Sequence, residues 1–163
     1  MDAEALTVFA SIPLPHDADV VLVEALALRK QGDAAKAEAI LIAVRERTQN
    51  EKLGEMGEVE KLASLALLDA ALGRKQEALL ESQKAVDKLP ISRDASYGPS
   101  LVLCQAQVFA LIGERNRAIE RLSEIAKIPA GPNVGDLLHP CFDELRGDPR
   151  FEKIVTDVKA ATK

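Results

Sequence analysis

The sequence predicts an all-α protein, a stack of helical hairpins closed by a C-terminal capping helix. Three observations predict it. Aromatic residues make up 3% of the 163 residues and Trp is absent, while apolar residues reach 47%. A core of Ala, Leu, Ile and Val suits close-packed helices better than a β-sandwich, which draws on β-branched and aromatic side chains. Gly32, Gly73 and Gly113 stand 41 and 40 residues apart, and five residues after each comes an alanine: Ala37, Ala78 and Ala118. Around these glycines the apolar residues recur at helical spacing, as Ala37, Ile40, Leu41 and Val44 do at i, i+3, i+4 and i+7.

The elements follow in order. Residues 1–15, with "AEALTVFASIPLP", read as a leading helix, Ala5 and Phe9 lying on one face. Repeat arrays need polar terminal units, so this apolar segment reads either as the second helix of a repeat cut from a longer array or as a native N-terminal capping helix. His16 precedes a helix start and meets solvent or backbone. Three hairpins follow, at 17–47, 58–90 and 99–129. Their first helices, "VVLVEALAL", "LASLALLDAAL" and "LVLCQAQVFALI", are apolar nearly all round and should be sandwiched between neighbours. Each glycine permits a turn that a Cβ would strain, and the following alanine lets the second helix approach closely. Pro90 and Pro129 stop the second helices, since proline cannot donate a helical hydrogen bond. "NEKLGEMGEVEKLASLALL" reads as helix from about Glu58 onward; the connection at 48–57 reads either as a loop or as an extension of that helix. In the capping segment, 130–163, Asp148 caps a helix with Pro149 at its first position. Phe142, Leu145, Phe151 and Ile154 would then cover the last hairpin. The whole chain, 1–163, is expected to form one domain.

Composition narrows the function. The net charge of −5, with acids scattered among Lys and Arg, opposes nucleic-acid binding, which needs a concentrated basic face. No apolar run approaches the roughly 18 residues that span a membrane, and the N-terminus lacks the basic-then-apolar pattern of a signal peptide. Cys104 and Cys141 form no CxxC pair, so neither a zinc site nor a redox motif is indicated, and a reducing, cytoplasmic setting is expected. His139 and Cys141 flank Pro140, a spacing at which thiol and imidazole are not expected to touch. Cys104 reads as a small core residue. The acid pairs Asp143/Glu144 and Glu58/Glu60 read as solvated faces. No phosphate-binding, HExxH or GxSxG motif occurs. The expectation is a protein that is not an enzyme and holds no cofactor and no metal.

The repeat resembles the tetratricopeptide repeat. The second hairpin matches best, through Leu62, Leu65, Ala66, Gly73, Ala78, Ala85 and Pro90. The third matches through Ala106, Phe109, Gly113, Ala118 and Leu122, and the first through Ala25, Leu28, Gly32, Ala37 and Leu41. The family period is 34 residues, so six or seven extra residues fall in each connection, around 48–57 and 91–98. The consensus Trp is missing, and Asp69 stands where a ring is expected. Residues 128–158 resemble the closing segment of tetratricopeptide regions at the C-terminus of large bacterial signalling proteins, through Pro140, Phe142, Asp143, Leu145, Arg146, Asp148, Pro149, Arg150 and Phe151.

The resemblance implies a right-handed α-solenoid that acts as a scaffold, binding a partner protein's peptide or helix in a concave groove. The groove positions carry over to Asp19, Leu22, Leu26, Arg29 and Lys30; to Glu60, Ala63, Leu67, Ala70 and Ala71; and to Ser100, Leu103, Gln107, Ala110 and Leu111. Leu22, Leu26, Leu67 and Leu103 form the implied floor, edged by Arg29, Lys30, Glu60 and Gln107. The carboxylate clamp of chaperone-binding members is missing, since Leu22 and Leu26 take its first two positions. On the alternative reading these leucines are core, covered by the long connections, by the C-terminal helix, or by a second copy in a homodimer. The module then serves as a spacer or for self-association.

Overall fold

The computed structural model describes residues 17–161, and these are helical with no strand among them. Six helices form three consecutive hairpins: α1 (Asp17–Lys30) with α2 (Ala34–Asn50), α3 (Glu55–Ala71) with α4 (Lys75–Lys88), and α5 (Gly98–Leu111) with α6 (Arg115–Ile125). A closing segment follows, made of α7 (Val134–Leu137), a 3-10 helix (Pro140–Leu145) and α8 (Pro149–Ala161). The predicted leading helix at 1–15 and His16 lie outside the described residues.

Each hairpin turns the same way for the same local reason. Gly32, Gly73 and Gly113 have φ of 88°, 77° and 83°, the left-handed conformation that an L side chain resists. The residue after each glycine donates its N–H back five positions: Asp33 to Leu28 O at 2.9 Å, Arg74 to Asp69 O at 2.8 Å, and Glu114 to Phe109 O at 2.8 Å. The glycine N–H groups bond to Arg29, Ala70 and Ala110. Three times over, this is a Schellman closure that satisfies carbonyls otherwise orphaned at the helix end. Ala37, Ala78 and Ala118 are then fully buried at the helix–helix contact. α4 and α6 end before Pro90 and Pro129.

Contacts are densest within each hairpin, and α1, α3 and α5 also pack side by side. The first helices thus form the inner layer. Its apolar stripe continues from Leu22, Ala25 and Leu41 through Leu68 and Phe109 to Phe142, Leu145 and Phe151, all at most 2% exposed. At about 1.5–3 kcal/mol for each large apolar side chain, this continuous cluster is the main support of the stack. A smaller cluster of Val59, Ala85, Leu89 and Leu101 joins the second and third hairpins.

The extra residues at 48–57 lengthen helices: α2 runs to Asn50 and α3 already starts at Glu55, so a short link remains. The second extra stretch is a run of turns between α4 and α5. Position 69 carries no ring and yet is fully buried: Asp69 accepts from Arg45 Nε at 2.5 Å and Nη2 at 2.8 Å. The pair ties α2 to α3.

The closing segment behaves as its capping signals imply. Asp148 Oδ1 accepts from the Arg150 N–H at 3.0 Å at the start of α8. Asp148 also binds the Arg150 guanidinium, which holds its carboxyl down at about 2. Arg150 reaches on to Asn116 Oδ1 at 2.9 Å, linking α8 to α6. The 3-10 helix packs against α5 and also against α1, the first described helix.

Two glycine substitutions separate backbone strain from crowding. A Cβ on Gly113 meets nothing within 4 Å, so Gly113→Ala costs only its left-handed conformation, about 1 kcal/mol. A Cβ on Gly131 would lie 2.0 Å from Ile125 O, a backbone clash, and Gly131→Ala is expected to cost more, about 2–3 kcal/mol. Urea unfolding of the two variants gives the order.

Candidate functional site

Among the described residues, one stretch of the inner layer is left open and another is covered. Side chains from the first turn of α1, the middle of α3 and the first half of α5 leave a cleft of 470 Å³. Ala18, Asp19 and Val20 line it from α1, Glu60, Ala63, Ser64 and Leu67 from α3, and Ser100, Leu101 and Cys104 from α5, with Tyr97 just ahead of α5. The walls are largely apolar. Val20 is 63% exposed beside it. Acid marks the rim: the Asp19 side chain is 58% exposed, and the exposed Glu60 accepts from the Tyr97 hydroxyl at 3.4 Å. Burial, reinforced by Glu60, pushes the Tyr97 phenol up to about 12, so it stays a neutral donor.

Toward the other ends of these helices the chain covers itself. Lys30, in the last turn of α1, meets Asp143 Oδ2 of the 3-10 helix at 2.5 Å. That bond, with help from Arg146, holds the Asp143 carboxyl below its usual range. Arg29 donates to Ala71 O at 2.6 Å. At the first turn of α1, Asp19 lies beside His139. The last turn of α1 is therefore tied to the closing segment, and its first turn lies close to it.

The groove residues expected from sequence divide accordingly. Asp19, Glu60, Ala63, Leu67 and Ser100 come together at the cleft. Leu22 does not: it is 0% exposed and belongs to the core, and Leu26 and Leu103 are partly buried against that core. Gln107 is buried at 8% exposure. Arg29 and Lys30 serve as ties. Of the four leucines expected as an apolar floor only Leu67 lines the cleft, and it too belongs to the buried core, at 7% exposure. The cleft instead draws on Val20, Leu101 and Tyr97, which the carried-over positions did not include. Val20 and Leu101 are in the apolar helix stretches; Tyr97 sits in a connection, where helical periodicity gives no signal.

The expected separation of His139 and Cys141 is corrected. Nδ1 lies 2.9 Å from Cys141 Sγ and accepts the Cys141 N–H at 3.2 Å. The reason is local. His139 is the N-cap of the 3-10 helix, Pro140 its first residue and Cys141 its second, and a cap side chain folds back over the second N–H. Accepting there leaves Nδ1 without a proton, so the neutral ring carries it on Nε2. That nitrogen is 3.4 Å from Asp19 Oδ1, within ion-pair reach but outside hydrogen-bond geometry. The order Asp, His, Cys matches that of a thiol nucleophile with its base and orienting acid. The thiol itself is held in its neutral form: burial first, then the Asp19 charge, raises it strongly, and only 5% of Cys141 is exposed. Cys104 is pushed up to about 12 by burial and donates to Ala63 O at 3.4 Å.

Asp143 and Glu60, read as solvated acids, each have a partner. Among the described residues no cluster of His, Cys, Asp or Glu is arranged to hold a metal ion, and no helix is long and apolar enough to cross a membrane. Comparison with family models, with curated proteins and with solved structures gave no match to this chain.

Both thiols should therefore resist alkylation. In native protein at mildly alkaline pH, iodoacetamide is expected to leave Cys104 and Cys141 unmodified over a period in which urea-unfolded chain is fully labelled. Peptide mass mapping reads the two sites separately, and rapid native labelling of Cys141 would mean that the cap opens.

Proposed function

We propose that this chain is a tetratricopeptide-like interaction module, a non-catalytic scaffold of the kind found in larger bacterial regulators. It takes an apolar segment of a partner protein into the cleft between α1, α3 and α5. The observation that carries the reading is the cleft itself: apolar walls from three successive hairpins, left uncovered by the closing segment, with acids on its rim. A volume of 470 Å³ suits a few large side chains. Asp19 and Glu60 favour a basic residue beside that apolar anchor. A peptide or amphipathic helix with Leu, Ile or Phe next to Lys or Arg has this chemistry.

A second reading rests on a different observation. The closing segment fills the rest of the inner face by packing on both α1 and α5. A face occupied by its own chain is what a spacer or self-associating segment requires.

Selection of displayed peptides on the native chain decides between them. The interaction reading expects enrichment of apolar sequences carrying Lys or Arg. It also expects affinity to fall by ~10-fold or more, about 1.4 kcal/mol, in the Ser64→Arg/Ser100→Arg variant, which keeps its helical circular dichroism because neither serine is in the buried core. No enrichment, or equal binding by the variant, leaves the spacer reading standing.

A further inference from the structure

A second depression lies along α4 and α6. Side chains of α4, α5 and α6 border a groove of 430 Å³, separate from the cleft. Gln105 and Phe109, one turn apart on α5, form its floor and are at most 2% exposed. Leu80 and Gln83 border it from α4, and Arg117 from α6.

A relay of amides runs through this groove. Gln83 donates from Nε2 to Asp87 Oδ1 at 2.8 Å, and Gln105 donates from Nε2 to Gln83 Oε1 at 3.2 Å. A carboxylate only accepts, so Asp87 fixes the direction of both amides. Gln105 Oε1 is left as the end of the relay, and it is buried with no donor reaching it. Buried acceptors are normally matched, and each exception calls for an explanation.

The cation beside it is uncommitted too. The Arg117 guanidinium lies over the Phe109 ring, 4.0 Å from its centroid. Stacked by its face, a guanidinium keeps the donors on its edge, and among the described residues no carboxylate pairs with it. Arg121, by contrast, holds Glu124 at 2.7 Å. Glu120 lies in the neighbouring notch that Arg117 also borders. No acid lines the groove itself among the described residues, although the chain carries a net charge of −5. Leu80, 56% exposed, supplies an apolar edge.

We propose that this groove is a second docking site, for an extended partner segment in which an apolar side chain adjoins Asp or Glu. The apolar side chain lies against Leu80, the carboxylate meets Arg117, and a backbone N–H of the segment completes the relay at Gln105. An extended segment has main-chain N–H groups to give. Since Oε1 is closed to water in the free chain, docking first turns a side chain aside. Leu80 and Gln83 are exposed, and exposed side chains change rotamer within nanoseconds. The charge preference is the reverse of the cleft's, whose rim is acidic, so the module would hold two segments of opposite charge at two places.

Selection of displayed random peptides on the native chain tests this. Peptides with Leu, Ile or Phe beside Asp or Glu are expected to be enriched. Their affinity is expected to fall by ~10-fold or more in the Leu80→Ser/Arg117→Gln variant, whose two sites are exposed on helix surfaces. It is expected not to fall in the Ser64→Arg/Ser100→Arg variant. A cleft that binds nothing leaves these outcomes unchanged, so the two sites fail separately. No enrichment of acidic apolar peptides, equal binding by the groove variant, or a fall only in the cleft variant overturns the proposal. Should the groove variant fail to fold, the carbon-13 signal of the Gln105 side-chain carbonyl in the native chain decides. A shift on saturation with the enriched peptide is expected, and an unmoved signal overturns the proposal.

Discussion

Everything in this fold depends on how closely paired helices approach. Helix axes come to within about 8–10 Å only where the contact side chains are small. Here the contacts are made over Ala37, Ala78 and Ala118, each with no exposed surface. The glycine before each alanine reverses the chain without leaving carbonyls unpaired, so the second helix starts already aimed at the first. From that follow the inner layer of α1, α3 and α5, and the cleft between them. A larger residue at one alanine would wedge a hairpin open and shift the whole line of first helices.

The readable parts of the fold were those governed by short-range rules. The glycine–alanine spacing, the proline stops and the Asp148–Pro149 helix start each depend on a few neighbouring residues, and the structure places them where those rules require. The hidden parts involve residues far apart in sequence. Arg45 and Asp69 are 24 positions apart and Lys30 and Asp143 are 113, and no periodicity links either pair. The groove was half legible for the same reason. Helical spacing identified Leu22 and Leu67 as inward-facing, but both are buried, and only the packing of neighbouring helices decides that Leu67 also lines the cleft. His139 and Cys141 failed differently: the cap rule that brings them together was available, yet two residues flanking a proline look separated unless the first is recognised as a cap.

The interior treats its ionisable groups by two strategies. The two thiols are isolated, and burial keeps them neutral with a single acceptor apiece. The buried acid Asp69 is instead supplied with two arginines, Arg45 and Arg74. Removing a buried charge's partner is among the costliest changes a core can suffer, about 3–5 kcal/mol, which makes the residues around Asp69 less replaceable than the apolar ones beside them. A ring at position 69 would fill the space, but it would leave Arg45 without a carboxylate.

The tie between α1 and the 3-10 helix changes how the chain must assemble. In an open array each repeat touches only its neighbours, so folding can begin anywhere and spread, and the ends can fray independently. Here residues more than a hundred positions apart are joined by Lys30 and Asp143. Contacts of such long sequence separation raise the average contact order and slow folding, since a large loop must close before they form. In return the stack gains all-or-none behaviour: α1 and the closing segment are each held by the other, and neither can peel away without releasing its partner.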